Sequence, residues 1–244
     1  APDGNLAQDL KNDPKGLVVL MPIKSLDQGF AMTGSFSCMS LATLLIFDTI
    51  SDYSKSKIIE SICSMGSSVL NSESLIQNLV NTNFNRIAYI GSGALGGLAE
   101  EARLKILELT AGQVVALFDT SMGLRHGPKS FLDNKTIVFG FVSNNAYTRQ
   151  YDLDILNEIR DDKIVPLIMG IGQKKLGQDF EGEFFEIKND NLLPDAYLAL
   201  PDIMFAQTIA LMTSIKVNNK PDTPSPTGTV NRVVKGVIIH EYKK

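Results

Sequence analysis

From residue 83 onward the chain alternates short β-branched or aromatic runs with stretches of helical length and period. No other feature restricts its fold as much. Residues 86–90 (RIAYI), 113–118 (QVVALF), 136–142 (TIVFGFV), 164–169 (IVPLIM) and 183–187 read as strands, the fourth weakened by Pro166. Residues 94–110 and 147–160 read as helices, the second with N-cap types at Ser143, Asn144 and Asn145. Residues 123–132 read as a short helix, and residues 201–217 as a long apolar helix with Pro201 near its first turn. Strands alternating with helices predict an α/β fold in three layers, with a mainly parallel sheet in the middle.

The flanks are less regular. Residues 17–21 (LVVLM) read as a buried strand ended by Pro22, and an apolar stretch of helical length ends at Phe47. Residues 51–82 are rich in Ser, Lys and Asn, with Ile58, Ile59, Ile62, Val69, Leu75 and Leu79 spaced along them. That pattern predicts one or two amphipathic connector helices outside the core. The tail opens with Pro221, Pro224 and Pro226 and ends in a β-rich run, VVKGVIIHEY. The boundaries expected are residues 1–50, a connector at 51–82, the main domain at 83–217 and a tail at 218–244.

Composition removes several function classes. At 244 residues, 44% apolar and 20% charged, the chain can bury a core without disulfide or metal staples. A net charge of −4 with no basic cluster argues against a nucleic-acid surface. The longest nearly unbroken apolar run, residues 41–47, is too short to span a membrane. Cys38 and Cys63 form no CxxC, and His126 and His240 are the only histidines, so no transition-metal spacing is present. The two cysteines are expected to be buried free thiols, which fits a reducing compartment. The chain opens on APDG with neither an initiator methionine nor a signal pattern, and is expected to be a piece of a longer protein.

Three groups of residues carry possible chemistry. Gly91-Ser92-Gly93-Ala94-Leu95-Gly96 matches GxGxxG between a strand and a helix, the setting of a dinucleotide fingerprint. Asp119, the acid ending the next strand, lies 28 residues past Gly91, against about 20 in the usual pattern. A dinucleotide, a sugar phosphate or other anion, and a plain packing turn all remain open at this point. Glu101, Lys105 and Glu108 fall on one line of the following helix, bordering the face of Leu95, Leu98, Ala102, Ile106 and Leu109. They form either a solvated ion-pair row or a partly dry carboxylate able to move a proton. His126 stands in Leu124-Arg-His-Gly-Pro-Lys129, where Gly-Pro fixes a turn. Beyond a strand end, Asn144, Asn145, Thr148, Arg149 and Gln150 cluster at a helix start, as N-caps or as ligand contacts.

These stretches, in order, resemble one family. EARLKILELTAG followed by GLRHGPKSFLD is similar to the isomerase half of glucosamine-6-phosphate synthase. GFAMT, ELTAGQVVALFDTSMGLRHGPKS, AYTRQYDLDILNEIR and PDTPSPTGTVNRVVKGVIIH resemble more closely a subgroup of the sugar isomerase (SIS) superfamily, the tagatose-6-phosphate ketose/aldose isomerases or galactosamine-6-phosphate deaminases. The resemblance covers essentially the whole chain. It implies a flavodoxin- or Rossmann-like SIS domain at residues 83–217, preceded at residues 1–50 by the end of a first such domain. The first domain's serine- and threonine-rich loops, which hold the sugar phosphate in the family, have no counterpart in these residues.

The resemblance also implies an enzyme acting on a sugar phosphate, as a cytoplasmic homodimer, without metal or other cofactor. Glu108 matches the carboxylate that shuttles a proton between C1 and C2, and Lys105 a lysine one helical turn before it. His126 matches a ring-opening histidine that, in the synthase, reaches in from the neighbouring subunit. Two extra residues separate carboxylate and histidine here. Lys235 resembles a tail lysine that contacts or condenses with the open sugar. Asp27, Gly29, Phe30 and Ala31 lie in a segment that touches the sugar through its backbone. Ser92, Asn144 and Arg149 complete the candidate substrate contacts. Two alternatives stand beside this reading. A non-catalytic sugar-phosphate-sensing module would usually lack the carboxylate and histidine, and a nicotinamide-dependent dehydrogenase rests on GxGxxG alone.

Overall fold

A computed structural model describes residues 2–242 apart from Leu176, Gln178 and Lys235. Four helices come first: α1 (Asn5–Leu10), α2 (Gly34–Phe47), α3 (Asp52–Leu70) and α4 (Glu73–Val80). The α/β alternation follows as β1 (Arg86–Ile90), α5 (Ala94–Leu109), β2 (Val115–Asp119), β3 (Thr136–Phe141), α6 (Ala146–Asp162), β4 (Leu167–Gly172), β5 (Glu183–Glu186) and α7 (Asp195–Lys216). The five strands form one parallel sheet in the order β2-β1-β3-β4-β5. Order reverses between β1 and β3, which makes their carboxyl ends the usual ligand crevice of such a sheet.

The period-2 alternation of the strands sorts the layers. Ile87, Tyr89, Ile137, Phe139 and Phe141 face the layer of α5 and α7, where Tyr89 stacks on Phe139 at 5.7 Å and Phe205 meets Phe139 edge-on at 5.3 Å. Ala88, Ile90 and Val138 face Leu124 and the α6 residues Ile155 and Ile159. Gly91 is required at the turn out of β1: a Cβ there would stand 2.3 Å from the Leu95 carbonyl oxygen.

Several expectations fail on the flanks. Residues 17–21 form no strand, and Leu17 is 76% exposed, because a β-rich run is stable only beside a partner strand and none of the described strands pairs with it. The β-rich tail behaves the same way, with Val233, Val234, Val237, Ile238 and Ile239 exposed. Residues 51–82 are not outside the core: Met65, Val69, Ile76, Leu79 and Val80 are buried in its main cluster. The stretch 123–132 is two 3-10 turns, Gly123–His126 and Pro128–Phe131, rather than one helix. The last helix begins at Asp195, capped by Pro194, so Pro201 lies inside it. By length and composition α7 could cross a membrane, which residues 41–47 could not, but two-thirds of it is buried as a core helix.

Candidate active site

The glutamate–lysine stripe of α5 is not a solvated row. The Lys105 side chain is 3% exposed, and its ammonium lies 2.7 Å from Glu108 Oε2 and 3.3 Å from Glu101 Oε1. One buried cation thus serves two carboxylates. Burial pushes the Glu101 carboxyl up, with Lys105 pulling it down and Glu108 adding repulsion.

Lys105 forms part of the wall of a cleft of about 340 Å³ on the outer side of α5 and α7. Asp27, Gly29 and Ala31 wall it from the loop before α2, Gln207 from α7, and Asp222 from the tail. Loop and tail touch directly: a Cβ on Gly29 would come within 3.0 Å of Asp222 Oδ1. Phe30 lines an adjoining depression with the tail residues Asn231 and Arg232. The sequence-derived loop candidates and Lys105 are therefore brought together.

The Asp27 side chain is engaged within its own loop. Its carboxylate accepts from Thr33 N (3.1 Å), Thr33 Oγ1 (2.9 Å), Gly34 N (2.8 Å), Ser35 N (3.1 Å) and Ser35 Oγ (2.5 Å). It caps α2 from outside the helix, closing the loop that carries Gly29 to Ala31. Burial alone would raise its carboxyl, but the hydroxyl and amide donors of Ser35 and Thr33 outweigh that and hold it at about 2.

The tail is held by a residue that sequence reasoning missed. Asn219, buried just past α7, donates from Nδ2 to Leu109 O (2.7 Å) and Pro224 O (3.0 Å). The tail is so fixed one residue beyond Glu108. An Asn-Asn pair closing a helix, with Asn218 at φ +57, is the available signal. Lys235 lies outside the described residues.

His126 is not joined to this cleft within one chain. It sits exposed on the turn packed with α6, and the sheet stands between it and Glu108 on α5.

Ser92, Asn144 and Arg149 gather at the carboxyl ends of β1 and β3, where their partners are intramolecular. Ser92 Oγ donates to Asp152 Oδ1 at 2.7 Å, Ser121 Oγ donates to the same atom, and Ser143 N reaches Oδ2 at 3.0 Å. Burial pushes the Asp152 carboxyl up against these hydrogen bonds. Asn144 binds Asp195 through its amide N (2.7 Å), and Gln173 and Leu193 through Nδ2 (both 2.8 Å). Arg149 is wholly buried, donating to Ser143 O (2.9 Å), Gln173 O (3.1 Å) and Asp179 Oδ1 (2.8 Å). Asp152 was missed because Asp is an ordinary residue of exposed helix faces. The usable signal is its register with Arg149, Ile155 and Ile159 on the buried face of α6. Asp202, wholly buried on α7, has no hydrogen-bond partner for either oxygen among the described residues. Burial raises its carboxyl well above the usual range, with Asp195 adding to this.

A scan of protein-family models finds no match. Curated proteins and solved structures do match. D-galactosamine-6-phosphate deaminase AgaS of Escherichia coli O157:H7 is 41% identical over 244 residues, 98% of this chain and 62% of that protein. AgaS of Shewanella sp. (strain ANA-3) is 36% identical over 242 residues, 99% of this chain and 58% of that protein. The structure of tagatose-6-phosphate ketose/aldose isomerase from Escherichia coli superposes with a TM-score of 0.86 at 36% identity, covering 100% of this chain and 63% of that one. A structure from Clostridium novyi NT superposes with a TM-score of 0.90 at 42% identity, covering 99% and 63%. Over its whole length the chain is similar in sequence and fold to these sugar-phosphate deaminases and isomerases. It spans about three-fifths of the length of the relatives it matches. In this sugar isomerase fold most of the described candidate residues divide between two places, the cleft beside Lys105 and the polar network under the glycine turn, while His126 stands at neither.

Proposed function

We propose that the chain forms the catalytic part of a deaminase/isomerase converting an amino sugar 6-phosphate, galactosamine 6-phosphate, to ketose 6-phosphate and ammonia. The observation that carries this reading is the buried Lys105 held between two carboxylates on the wall of a cleft closed by loop and tail. The names of the relatives support the substrate class.

In this reading His126 donates a proton to the ring oxygen and accepts one from the anomeric hydroxyl, opening the sugar. The C1 carbonyl makes the C2 hydrogen acidic. Glu108 removes it as a proton, and Lys105 stabilises the negative charge that develops on the C1 oxygen. Glu108 returns the proton to C1, while the C1 oxygen takes up a proton from Lys105 or water and the C2 amine gives one back, leaving a C1 hydroxyl and an imine at C2. Water adds there, and ammonia leaves. With a hydroxyl at C2 the same shuttle interconverts aldose and ketose. Lys235 contacts the open-chain carbonyl, and the backbone of Gly29 to Ala31 lines the sugar. Because the sheet separates Glu108 from His126, the complete site takes His126 from a second copy in a homodimer. Residues 1–50 are the end of a preceding sugar isomerase domain, and the enzyme works in the cytoplasm. Nothing in these steps calls for a nicotinamide. The buried Asp152 carboxyl, bonded to Ser92 Oγ of the glycine turn, sets an acidic group beside the place a pyrophosphate would take, which counts against the dehydrogenase reading.

The test is a panel of hexosamine and hexose 6-phosphates given to the complete protein, with ammonia and ketose followed together. Equimolar ammonia and ketose 6-phosphate from galactosamine 6-phosphate is expected. Binding without turnover of any member would replace this reading by a sugar-phosphate sensor.

A further inference from the structure

The turn that carries His126 has little regular structure of its own. It consists of two 3-10 turns joined through Gly127, whose φ of +132° suits glycine. Leu124 is its buried apolar anchor before the histidine, and His126 itself is exposed. Yet the cations on either side of the histidine converge on one carboxylate of α6. Arg125 Nε lies 3.0 Å from Glu158 Oε2, and Lys129 pairs with Glu158 Oε1 and with Asp162. The Lys129 hydrogen bond, against burial and with help from Arg125, holds the Glu158 carboxyl below its ordinary range.

We infer that Glu158 is a positioning residue for His126: by gripping Arg125 and Lys129 it sets where the imidazole stands at the surface it presents to the substrate. The inference rests on the proposed role of His126 in opening the sugar ring. Among the described residues no hydrogen bond or ion pair joins Glu158 to His126, and Glu158 does not line the cleft, so it acts through the turn. Partly exposed ion pairs add little to stability, so its removal leaves the fold in place while loosening the histidine.

The experiment compares Glu158→Gln, Glu158→Asp and His126→Asn in the complete protein with galactosamine 6-phosphate. Glu158→Gln is expected to lower kcat by about tenfold with KM changed by less than about twofold, the mark of a misplaced catalytic group and not of lost binding. Its melting temperature stays within about 2 °C of the parent. Glu158→Asp, which keeps the charge, recovers at least about threefold of kcat. An unchanged kcat in Glu158→Gln, beside an inactive His126→Asn, overturns the inference and leaves the proposed function standing. A kcat loss that Glu158→Asp does not relieve and that tracks a fall in melting temperature also overturns it, as a folding effect. Full turnover by His126→Asn removes the histidine's role, and the inference with it.

Discussion

The two polar regions of this sugar isomerase fold differ in how far their groups are satisfied. At the carboxyl ends of β1 and β3, where α/β sheets ordinarily bind ligands, Asp152 takes the donors of Ser92, Ser121 and Ser143, and Arg149 binds two carbonyls and Asp179. Most of that network is satisfied within the chain, with Asn144 Oδ1 a buried atom that lacks a hydrogen-bond partner among the described residues. Beside the outer cleft, one buried ammonium faces two carboxylates, and about 340 Å³ of space lies against it. In the proposed reading, position in the fold does not by itself locate the site. A satisfied network adds rigidity and specificity of packing, whereas charge held half-dry next to open space can act on a ligand.

If that contrast is right, substitutions in the two regions fail in different ways. The largest effect belongs to Glu108→Gln, which keeps shape and removes the base. Turnover in the complete protein is expected to fall by about 10²- to 10⁴-fold with the melting temperature nearly unchanged. Residual activity near the parent value would move the chemistry elsewhere. Arg149→Met should do the reverse. Leaving Asp179 and two carbonyls without their buried cation costs about 3–5 kcal/mol in urea unfolding, while kcat per folded molecule holds. A selective loss of kcat would reopen Arg149 as a ligand contact.

A smaller effect sharpens the contrast inside the helical layer. The folded-state pKa of Asp202 is raised above its unfolded value, so its favourable contribution is complete at low pH and is lost as pH rises. Asp202→Asn is therefore expected to match the parent near pH 3. It should exceed the parent by about 1–3 kcal/mol at pH 7, where the parent holds an uncompensated buried acid. Equal stability at both pH values in unfolding curves would mean that Asp202 finds a partner on which its charge can rest.

The sheet was legible because its central strands are compact apolar runs, and GxGxxG leads from β1 into the start of α5 as read. Residues 17–21 carry the same local signal, yet a strand needs a neighbour, and pairing is not written in a five-residue pattern. Likewise Pro201 reads as a helix start until Pro194 is seen to cap α7 about two turns earlier. In the cleft, the spacing of Glu101, Lys105 and Glu108 revealed one line of α5, but the burial of Lys105 depends on the loop and tail that cover it. Asn219, Asp152 and Glu158 stayed hidden because their partners are far away in the chain, and side-chain hydrogen bonds of that kind leave no period behind.

The smallest expected effect tests whether the cleft depends on its loop. Asp27 collects five donors from Thr33, Gly34 and Ser35, so the order of the loop should follow its charge. With a folded pKa of about 2 against an ordinary 3.8, its contribution is fully present above about pH 4 and is lost as pH falls through about 2. In the parent, amide hydrogen exchange at Gly34 and Ser35 should therefore speed up across that acid window, relative to a core amide such as that of Phe139. Asp27→Asn keeps one acceptor oxygen and loses the charge, so its exchange should already be faster by a few fold at pH 7 and show no acid step. KM for the sugar phosphate should rise with it while kcat changes little, because the loop lines the cleft but stands apart from the Lys105 pairings. An acid step that persists in Asp27→Asn would assign the loop's order to another carboxylate, and a fall in kcat alone would mean that Asp27 does more than shape the wall.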